Sequence, residues 1–346
     1  MTASVPPRLD PTPIFELFRG SYGTELLTAA VAEFGVFERL RGGGKSFTEL
    51  AAEIGLERRP ANVLFTALAA MGLLTKSGER FELTAQAREH LLRDEPFFVG
   101  DYLGLAAEAP GTREMIARLR TNRPAGADAD DGAAFIFRDG LESAMEKENS
   151  ARHFTLALAG RAKNVAPVLA QKVDLSQAKS LLDVGGGTGI YSIALLERFP
   201  QLQAAVLDRP EVLKIAGEFA REHGVAERLQ LTPCDMFADE LPRGADAILL
   251  SNILHDWDEP ECASLVAKCA AALASGGRLL IHDVFLNDAL DGPLPIALYS
   301  AALFGFTEGR AYSAAEYNTW LRAAGLTPQA PVPTLIHCGV IVARRE

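Results

Sequence analysis

The run Ser180-Leu181-Leu182-Asp183-Val184-Gly185-Gly186-Gly187-Thr188-Gly189 constrains this chain more than any other segment. A short, mostly apolar strand candidate runs directly into a cluster of glycines, and the residues after it, Ile190 to Phe199, carry a helical pattern that Pro200 helps to end. Such a strand-to-helix turn lets the backbone approach a ligand closely, and the helix start behind it offers unpaired N–H groups. By itself the turn fits NAD, FAD, S-adenosylmethionine or a plain change of direction.

Further apolar runs alternate with helical segments. Ser180–Val184, Ala204–Leu207, Leu229–Thr232, Ala247–Leu250 and Leu279–Val284 are the predicted strands, and this alternation implies a parallel sheet with helices on both faces. Ligands of such sheets bind outside the carboxyl ends of the strands. The second strand ends at Asp208, about twenty residues past the glycines, where a carboxylate can accept both ribose hydroxyls. The third ends in Cys234-Asp235-Met236-Phe237, an acid suited to an adenine amino group beside two side chains that can cover the ring. The fourth ends in Ser251-Asn252-Ile253-Leu254-His255-Asp256-Trp257, and Asp258 onward reads as a capped helix start. His255 beside an acid is, in isolation, more often a structural histidine than a catalyst. The glycines at 185, 187 and 189 give G-x-G-x-G rather than the G-x-G-x-x-G of NAD enzymes, which favours a different adenosyl ligand. A helix over Ser313–Ala324 and a terminal strand over His337–Ala343 complete this half.

The first hundred residues read differently. Phe15 to Leu40 is helical and apolar over a wide face. Ser46-Phe47-Thr48-Glu49 fits a capping box, with a helix to Ile54 stopped by Gly55. Pro60 suits a first helical turn, and the helix Ala61–Met71 ends at Gly72. Leu73–Lys76, a Ser77-Gly78 turn and Arg80–Leu83 read as a hairpin, so the order is that of a winged helix. Such a unit raises a ligand-responsive DNA-binding regulator as an alternative, but between Phe47 and Leu83 four basic residues face five acidic ones. The would-be recognition helix is apolar nearly all round, which predicts burial and protein–protein packing instead. The whole chain, with Lys+Arg 34 against Asp+Glu 45 and a net charge of −11, repels polyanions. Residues 84 to about 165 are mostly helical, interrupted by the acidic, turn-rich 123–132, which reads as a surface connection or as a flap near an active-site mouth.

No run approaches eighteen uncharged apolar residues, and the N-terminus lacks a basic segment followed by an apolar one, so a cytoplasmic protein without a membrane partner is expected. Cys234, Cys262, Cys269 and Cys338 show no metal-ligand spacing. If Cys262 and Cys269 share a helix, seven residues of rise put them about 10 Å apart, too far to bridge. The 346 residues divide in expectation into a winged-helix-like dimerisation domain (1–100), a helical linker with substrate-pocket helices (101–165) and a cofactor-binding domain (166–346).

Leu181 to Gly189, Leu207 to Val212, Cys234 to Phe237 and Leu254 to Cys262 together resemble the class I S-adenosylmethionine-dependent methyltransferases. Within that class the chain is similar to the O-methyltransferases that carry an N-terminal winged-helix dimerisation domain, such as plant caffeic acid and hydroxyindole enzymes and bacterial natural-product enzymes. The resemblance implies a mixed seven-stranded Rossmann-like sheet, a homodimer, and methyl transfer to a hydroxyl of a small aromatic or conjugated molecule in secondary metabolism. It implies a donor site at Asp183, Gly185, Gly187, Asp208, Asp235, Met236, Phe237, Ser251 and Trp257, and no metal. His255 falls on the family's general base; a phenol near pKa 10 and a histidine near 6.5 can share the proton as charge develops.

Two departures stand out. Many relatives have Lys or Arg where Ser251 stands. Relatives also often carry Gly-Gly-x-Glu-Arg-Thr where this chain reads Glu308-Gly309-Arg310-Ala311-Tyr312-Ser313, so Ala311 replaces the Glu that helps to orient the histidine. Glu308, Asp283 and Asp256 are the candidate substitutes, and spacing does not choose among them. The replacement leaves C-methylation, or a donor-binding relative that does not methylate, as alternatives. Phe18, Tyr22, Phe154, Tyr299, Phe304 and Phe306 are candidates for the acceptor pocket's walls or for ordinary core.

Overall fold

The computed structural model describes residues 2–78, 80–123 and 148–346. Two units emerge: one comprises Met1–Pro13, Ala133–Phe285 and Ala314–Glu346, the other Ile14–Gly132 and Leu286–Ser313. The segment expected as a connection or flap, 123–132, lies outside the described residues from 124 onward.

The first unit is built on a sheet whose continuous path runs through β1 (Ser180–Val184), β2 (Gln203–Asp208), β3 (Leu229–Pro233), β4 (Ala245–Ser251), β5 (Leu273–Leu286), β6 (Leu326–Pro328) and β7 (Cys338–Arg345), with the short strand Val332–Pro333 added antiparallel to β7. Along that path the order is β6-β7-β5-β4-β1-β2-β3. β1 pairs in parallel with both β2 and β4, β2 with β3, and β4 with β5, whereas β7 runs antiparallel to β5. The mixed, Rossmann-like sheet that the resemblance implies is present, with the antiparallel β7 departing from the wholly parallel sheet read from the strand–helix alternation. Leu181, Leu182, Asp183 and Val184 of β1 are all buried, as a strand covered by helices on both faces requires. Its order reverses between β1 and β4, and that crevice is where such a sheet receives ligands.

Helices α1 (Glu148–Lys172), α2 (Ile190–Arg198), α3 (Pro210–Glu222), α4 (Glu259–Ala272) and α5 (Ala314–Ala323) belong to this unit. β4 and β5 extend well past the predicted apolar runs. At Ala245–Ala247 the β4–β5 register shifts, so Gly276 and Gly277 sit within a strand that the sequence pattern shows only from Leu279. Gly189 (φ 69°) is the residue before α2, a left-handed position that glycine occupies at little cost.

In the second unit the capping box is as read: the Ser46 side chain accepts from Glu49 N, and Glu49 reaches back to Ser46 N. The helix Phe47–Ile54 stops at left-handed Gly55. Leu74–Ser77 and Arg80–Leu83 pair as the hairpin, and Lys45–Ser46 adds a third strand to it. The Phe15–Leu40 region is helical as read, but in several pieces. It is not one helix but Thr12–Arg19, Ser21–Thr28, a π-helical Ala29–Glu33 and Val36–Arg39, with left-handed Gly35 breaking the last step.

The helix predicted over Ala61–Met71 begins earlier, at Arg58, and its residues from Arg59 to Ala69 are buried. It packs on Leu294–Phe306, a helix contributed by the C-terminal half of the chain to the same unit. The buried charge of this helix is accounted for. Arg59 Nη1 donates to the Thr307 and Gly309 carbonyls at 2.8 and 3.2 Å, and its Nε donates to Asn122 Oδ1 at 2.8 Å. The guanidinium also lies 4.8 Å from the Phe304 ring centroid. A helix that would enter a DNA groove is therefore core. Among the described residues no helix is long and apolar enough to cross a membrane.

Candidate active site

A cavity of about 590 Å³ opens at the carboxyl ends of β1 to β4. The glycine turn forms its floor: Gly185 N donates to Leu207 O at 2.8 Å, tying the turn to the end of β2. Gly185 has φ +69°, and a Cβ there would come within 2.5 Å of Ile253 Cδ1. The left-handed φ favours glycine here, and any larger residue would also have to displace the end of the Ile253 side chain in the loop after β4. Asp208 completes the turn, its Oδ2 accepting from Gly187 N at 2.8 Å and its Oδ1 from Arg209 N at 2.7 Å. A carboxylate has roughly four acceptor positions, so this one retains capacity toward the cavity. Burial raises its pKa, against those two backbone hydrogen bonds.

Asp183, at the end of β1, is fully buried and lines the cavity. Its Oδ2 accepts from Ser192 Oγ at 2.7 Å, while its Oδ1 has no hydrogen-bond partner among the described residues. Burial pushes its pKa up to about 7. An orphaned carboxylate oxygen at a cavity wall is costly unless a ligand supplies a donor.

The remaining residues expected at a donor site line the same cavity: Asp235, Met236, Phe237, Ser251 and Trp257, together with Asp256. The Phe237 and Trp257 rings meet edge to face at 4.7 Å. Asp235 Oδ1 accepts from Phe237 N and Ala238 N at 2.8 and 3.1 Å. Burial would raise its carboxyl, and these bonds bring it below the usual range. Ser251 Oγ bonds His282 Nδ1 at 2.9 Å and accepts from Asn252 Nδ2 at 3.1 Å. Its hydroxyl is thus engaged beneath the cavity by a histidine whose pKa burial and the Arg161 charge drive down to about 3.

Arg161 was not legible in the sequence. It stands on α1, ninety-one residues from Asn252, whose Oδ1 receives its Nη1 at 2.6 Å, and its Nη2 donates to Cys338 Sγ at 2.8 Å. The guanidinium and Tyr191 both line the cavity. No local motif marks either residue; the topology alone brings α1 over the end of β4.

His255 sits in a short 3₁₀ turn, Leu254–Asp256, directly after β4. It is 3% exposed and is not part of the cavity wall, unlike its neighbours Asp256 and Trp257. Its Nδ1 lies 2.5 Å from Asp283 Oδ1 on β5, and its Nε2 lies 3.6 Å from Asp256 Oδ1. Of the three acids that spacing left open, Asp283 is the one bonded to the ring. Asp256 is near enough for charge attraction but too far for a hydrogen bond. Glu308 belongs to the second unit, after the helix Leu294–Phe306, as does buried Ala311, whose N–H donates to Ser300 Oγ.

Burial acts to lower the His255 pKa, but the Asp283 and Asp256 charges outweigh it and hold the imidazole above its ordinary value. Asp283 stays below the usual carboxylate range because His255 and its hydrogen bonds overcome the burial penalty. Burial pushes Asp256 up to about 7.

Of the aromatic residues weighed as acceptor walls, Phe18, Tyr22, Tyr299, Phe304 and Phe306 stand in the second unit and Phe154 in the first. Phe18 is 80% exposed on Thr12–Arg19, Tyr299 lies under the Arg19 guanidinium at 3.8 Å, and Phe304 lies under Arg59. Tyr22 is half-buried, and Phe306 faces Arg118 at 5.6 Å. The side chain of Phe154 lies outside the described residues.

Comparison with known proteins agrees with this geometry. An O-methyltransferase domain model matches residues 134–327. The fold superposes on the crystal structure of an O-methyltransferase family 2 protein from Planctomyces limnophilus, in complex with apigenin, with a TM-score of 0.91 and 46% identity over 100% of this chain and 99% of that one. The 3-hydroxy-5-methyl-1-naphthoate 3-O-methyltransferase of Streptomyces sahachiroi is 38% identical over 92% of this chain and 90% of its own. The L-tyrosine C(3)-methyltransferase of Streptomyces lavendulae is 30% identical over 94% and 90%. A domain match across more than half of the chain, on a sheet whose strand ends carry this cavity, makes the protein a member of the O-methyltransferase family of enzymes.

Proposed function

We propose that the protein transfers a methyl group from S-adenosylmethionine to a hydroxyl of a small aromatic or conjugated molecule in secondary metabolism, with His255 as general base. The observation that carries the reading is the pairing of a nucleoside-sized cavity, floored by Gly185 and Asp208, with a buried histidine bonded to Asp283 on the neighbouring strand.

The cavity residues fit the donor chemically. Asp208 would accept the ribose hydroxyls, and Met236, Phe237 and Trp257 would cover the adenine, with Asp235 at its amino group. The orphaned Asp183 Oδ1 suits the donor's ammonium, and Arg161 suits its carboxylate. When bound, S-adenosylmethionine supplies a methyl activated by a positively charged sulfur. Asp283 accepts from His255 Nδ1, which leaves Nε2 to serve as the basic atom for an acceptor hydroxyl. Burial excludes bulk water from the imidazole, so the proton it takes comes from the acceptor. Much of the acceleration then comes from holding acceptor and donor in line.

The naphthoate and apigenin named for two relatives are hydroxylated planar ring systems, which supports a phenolic acceptor here. The tyrosine C(3)-methyltransferase keeps carbon methylation as the second reading. A labelled-methyl screen of phenols, hydroxyquinones and hydroxylated polyenes, with products assigned by mass spectrometry and NMR, tests both. O-methyl products are expected. Labelled C-methyl products from phenolic acceptors would replace the reading by its alternative, and tight donor binding without any labelled product would favour a non-methylating role and direct attention to Ala311.

The protein is further proposed to act as a homodimer through its N-terminal region. The sequence suggested the Phe15–Leu40 segment and the helix Ala61–Met71 as the apolar surface, and the second of these is instead buried within its own unit. What remains exposed is Ile14 (69%), Leu17 (82%) and Phe18 (80%) on the first helix, with Tyr102 and Leu105 elsewhere in the unit. Apolar exposure of this kind marks an interaction surface. Light scattering at micromolar concentration is expected to give twice the chain mass, and Leu17→Glu together with Phe18→Glu to give the monomer. A monomeric parent protein would overturn this part of the proposal.

A further inference from the structure

The carboxylate of Asp283 is pinned at both oxygens. Its Oδ1 receives His255 Nδ1 at 2.5 Å and Val284 N at 2.8 Å, and its Oδ2 receives the hydroxyl of Tyr317 at 3.0 Å. Tyr317 stands on α5 and is completely buried. Its ring is wedged edge to face between Phe285, at 5.4 Å and 83°, and Trp320, at 5.5 Å and 86°, so the phenol oxygen has little freedom to leave Asp283.

We propose that Tyr317 is a positioning residue for methyl transfer, which through its hydrogen bond to Asp283 fixes the carboxylate that orients His255. The proposal rests on the reading of His255 as the base. A carboxylate's last torsion is soft and roughly twofold, so the Tyr317 bond to Oδ2 adds a second anchor to that of Val284 N in keeping Oδ1 opposite Nδ1. Relatives often add a Glu toward the histidine where this chain has Ala311, and Tyr317 supplies rigidity from a different element. It does so by fixing the acid already paired with the ring, without adding a charge. An ionised carboxylate bonded to a phenol O–H keeps its charge in a buried site more readily than one with an empty oxygen. The phenol therefore keeps both the orientation and the charge that hold His255 in the Nδ1–H tautomer.

Tyr317→Phe removes the hydroxyl and keeps the ring between Phe285 and Trp320. Turnover is expected to fall roughly ten- to a hundredfold, the usual cost of losing an outer hydrogen bond that orients a histidine, with the affinity for S-adenosylmethionine unchanged. The acidic limb of kcat is expected to move to lower pH, because a carboxylate that turns away or takes up a proton supports the imidazolium less. Among the described residues, Asp256 on the histidine's own turn, and Arg161 and His282 from α1 and β5, also act on this imidazole, and the substitution leaves all three in place. In ¹⁵N spectra of the histidine side chains, the His255 Nδ1–H form of the parent is expected to become a mixture of tautomers in the variant.

A pH profile that superposes on the parent's, or moves to higher pH, with an unchanged tautomer would overturn the proposal and leave Tyr317 a core residue. The tautomer reading needs no turnover, so it separates this failure from failure of the base assignment, which would show as full activity in His255→Ala. Should the phenylalanine variant not fold, the unsubstituted protein still decides. Its Tyr317 hydroxyl proton is expected as a slowly exchanging downfield resonance that Asp283→Asn shifts, and absence of that resonance would overturn the proposal as well.

Discussion

His255→Ala is expected to slow turnover by roughly 10²–10⁴-fold, the usual contribution of a general base, while the affinity for S-adenosylmethionine changes by less than about 0.5 kcal/mol. The two effects separate because His255 is not part of the cavity wall, whereas Asp256 and Trp257, the next two residues, are. Its role also fixes the pH dependence. The ring acts as a base only when neutral, and Asp283 and Asp256 hold its pKa above the ordinary value. The rate should therefore climb as pH rises through that raised value and level off above it. Stability runs the other way: the extra proton affinity of folded His255 stabilises fully below its unfolded pKa and is lost as pH rises through the folded one. In His255→Ala both the climb in rate and that part of the stability profile should vanish. Rates of the parent and the variant on a phenolic acceptor, taken across pH 5–9, decide the matter. A loss of less than about tenfold would transfer the main burden from proton removal to orientation.

The strand ends were legible because each carries its own local signal. Gly185 and Gly187 announce a tight turn, Asp208 follows at the spacing that a strand–helix–strand unit imposes, and Asp235 to Phe237 close the next strand. Parallel topology then brings these ends together without further information, which is why residues chosen one by one fall on a single cavity. The helix Arg58–Ala70 was legible for a similar reason, since a helix apolar on all sides has to be buried.

What stayed hidden depended on contacts distant in sequence. Arg161 is an ordinary helix residue until Asn252 is placed opposite it, and Asp283 differs from Glu308 and Asp256 only through the β4–β5 register, which sets Ser251 beside His282. Tyr317 reads as an apolar-face residue of α5, and only the packing of α5 near β5 reveals that its hydroxyl meets a carboxylate. The partner of the buried helix was equally invisible, because Leu294–Phe306 joins that unit from the far end of the chain. Periodicity showed that the helix was covered but not by what, and so its apolar surface was assigned to a dimer contact that it does not have room to make.

Asp208→Ala is expected to weaken S-adenosylmethionine binding by about 1–3 kcal/mol, the loss of a charged acceptor for hydroxyl donors, or roughly 5- to 150-fold in Kd. Part of this loss is direct, at the ribose, and part passes through the turn, because Gly187 N would lose the oxygen it bonds at 2.8 Å. Asp208→Asn separates the two, since its side-chain oxygen can still accept from Gly187 N while the charge is gone. An asparagine variant close to alanine assigns the loss to the ribose side, and one close to the parent assigns it to the turn. The pH dependence gives an independent reading. Burial raises the Asp208 pKa against the pull of its backbone hydrogen bonds, so affinity should decline as pH falls through that raised value and the acceptor becomes protonated. Both variants should lose the share of that decline due to Asp208 and keep the share due to Asp183, which is pushed up to about 7 in the same cavity. Calorimetric titration of the parent and both variants from pH 8 down to pH 5 measures all of this in one series, and equal affinity of the alanine variant and the parent would remove Asp208 from the donor site.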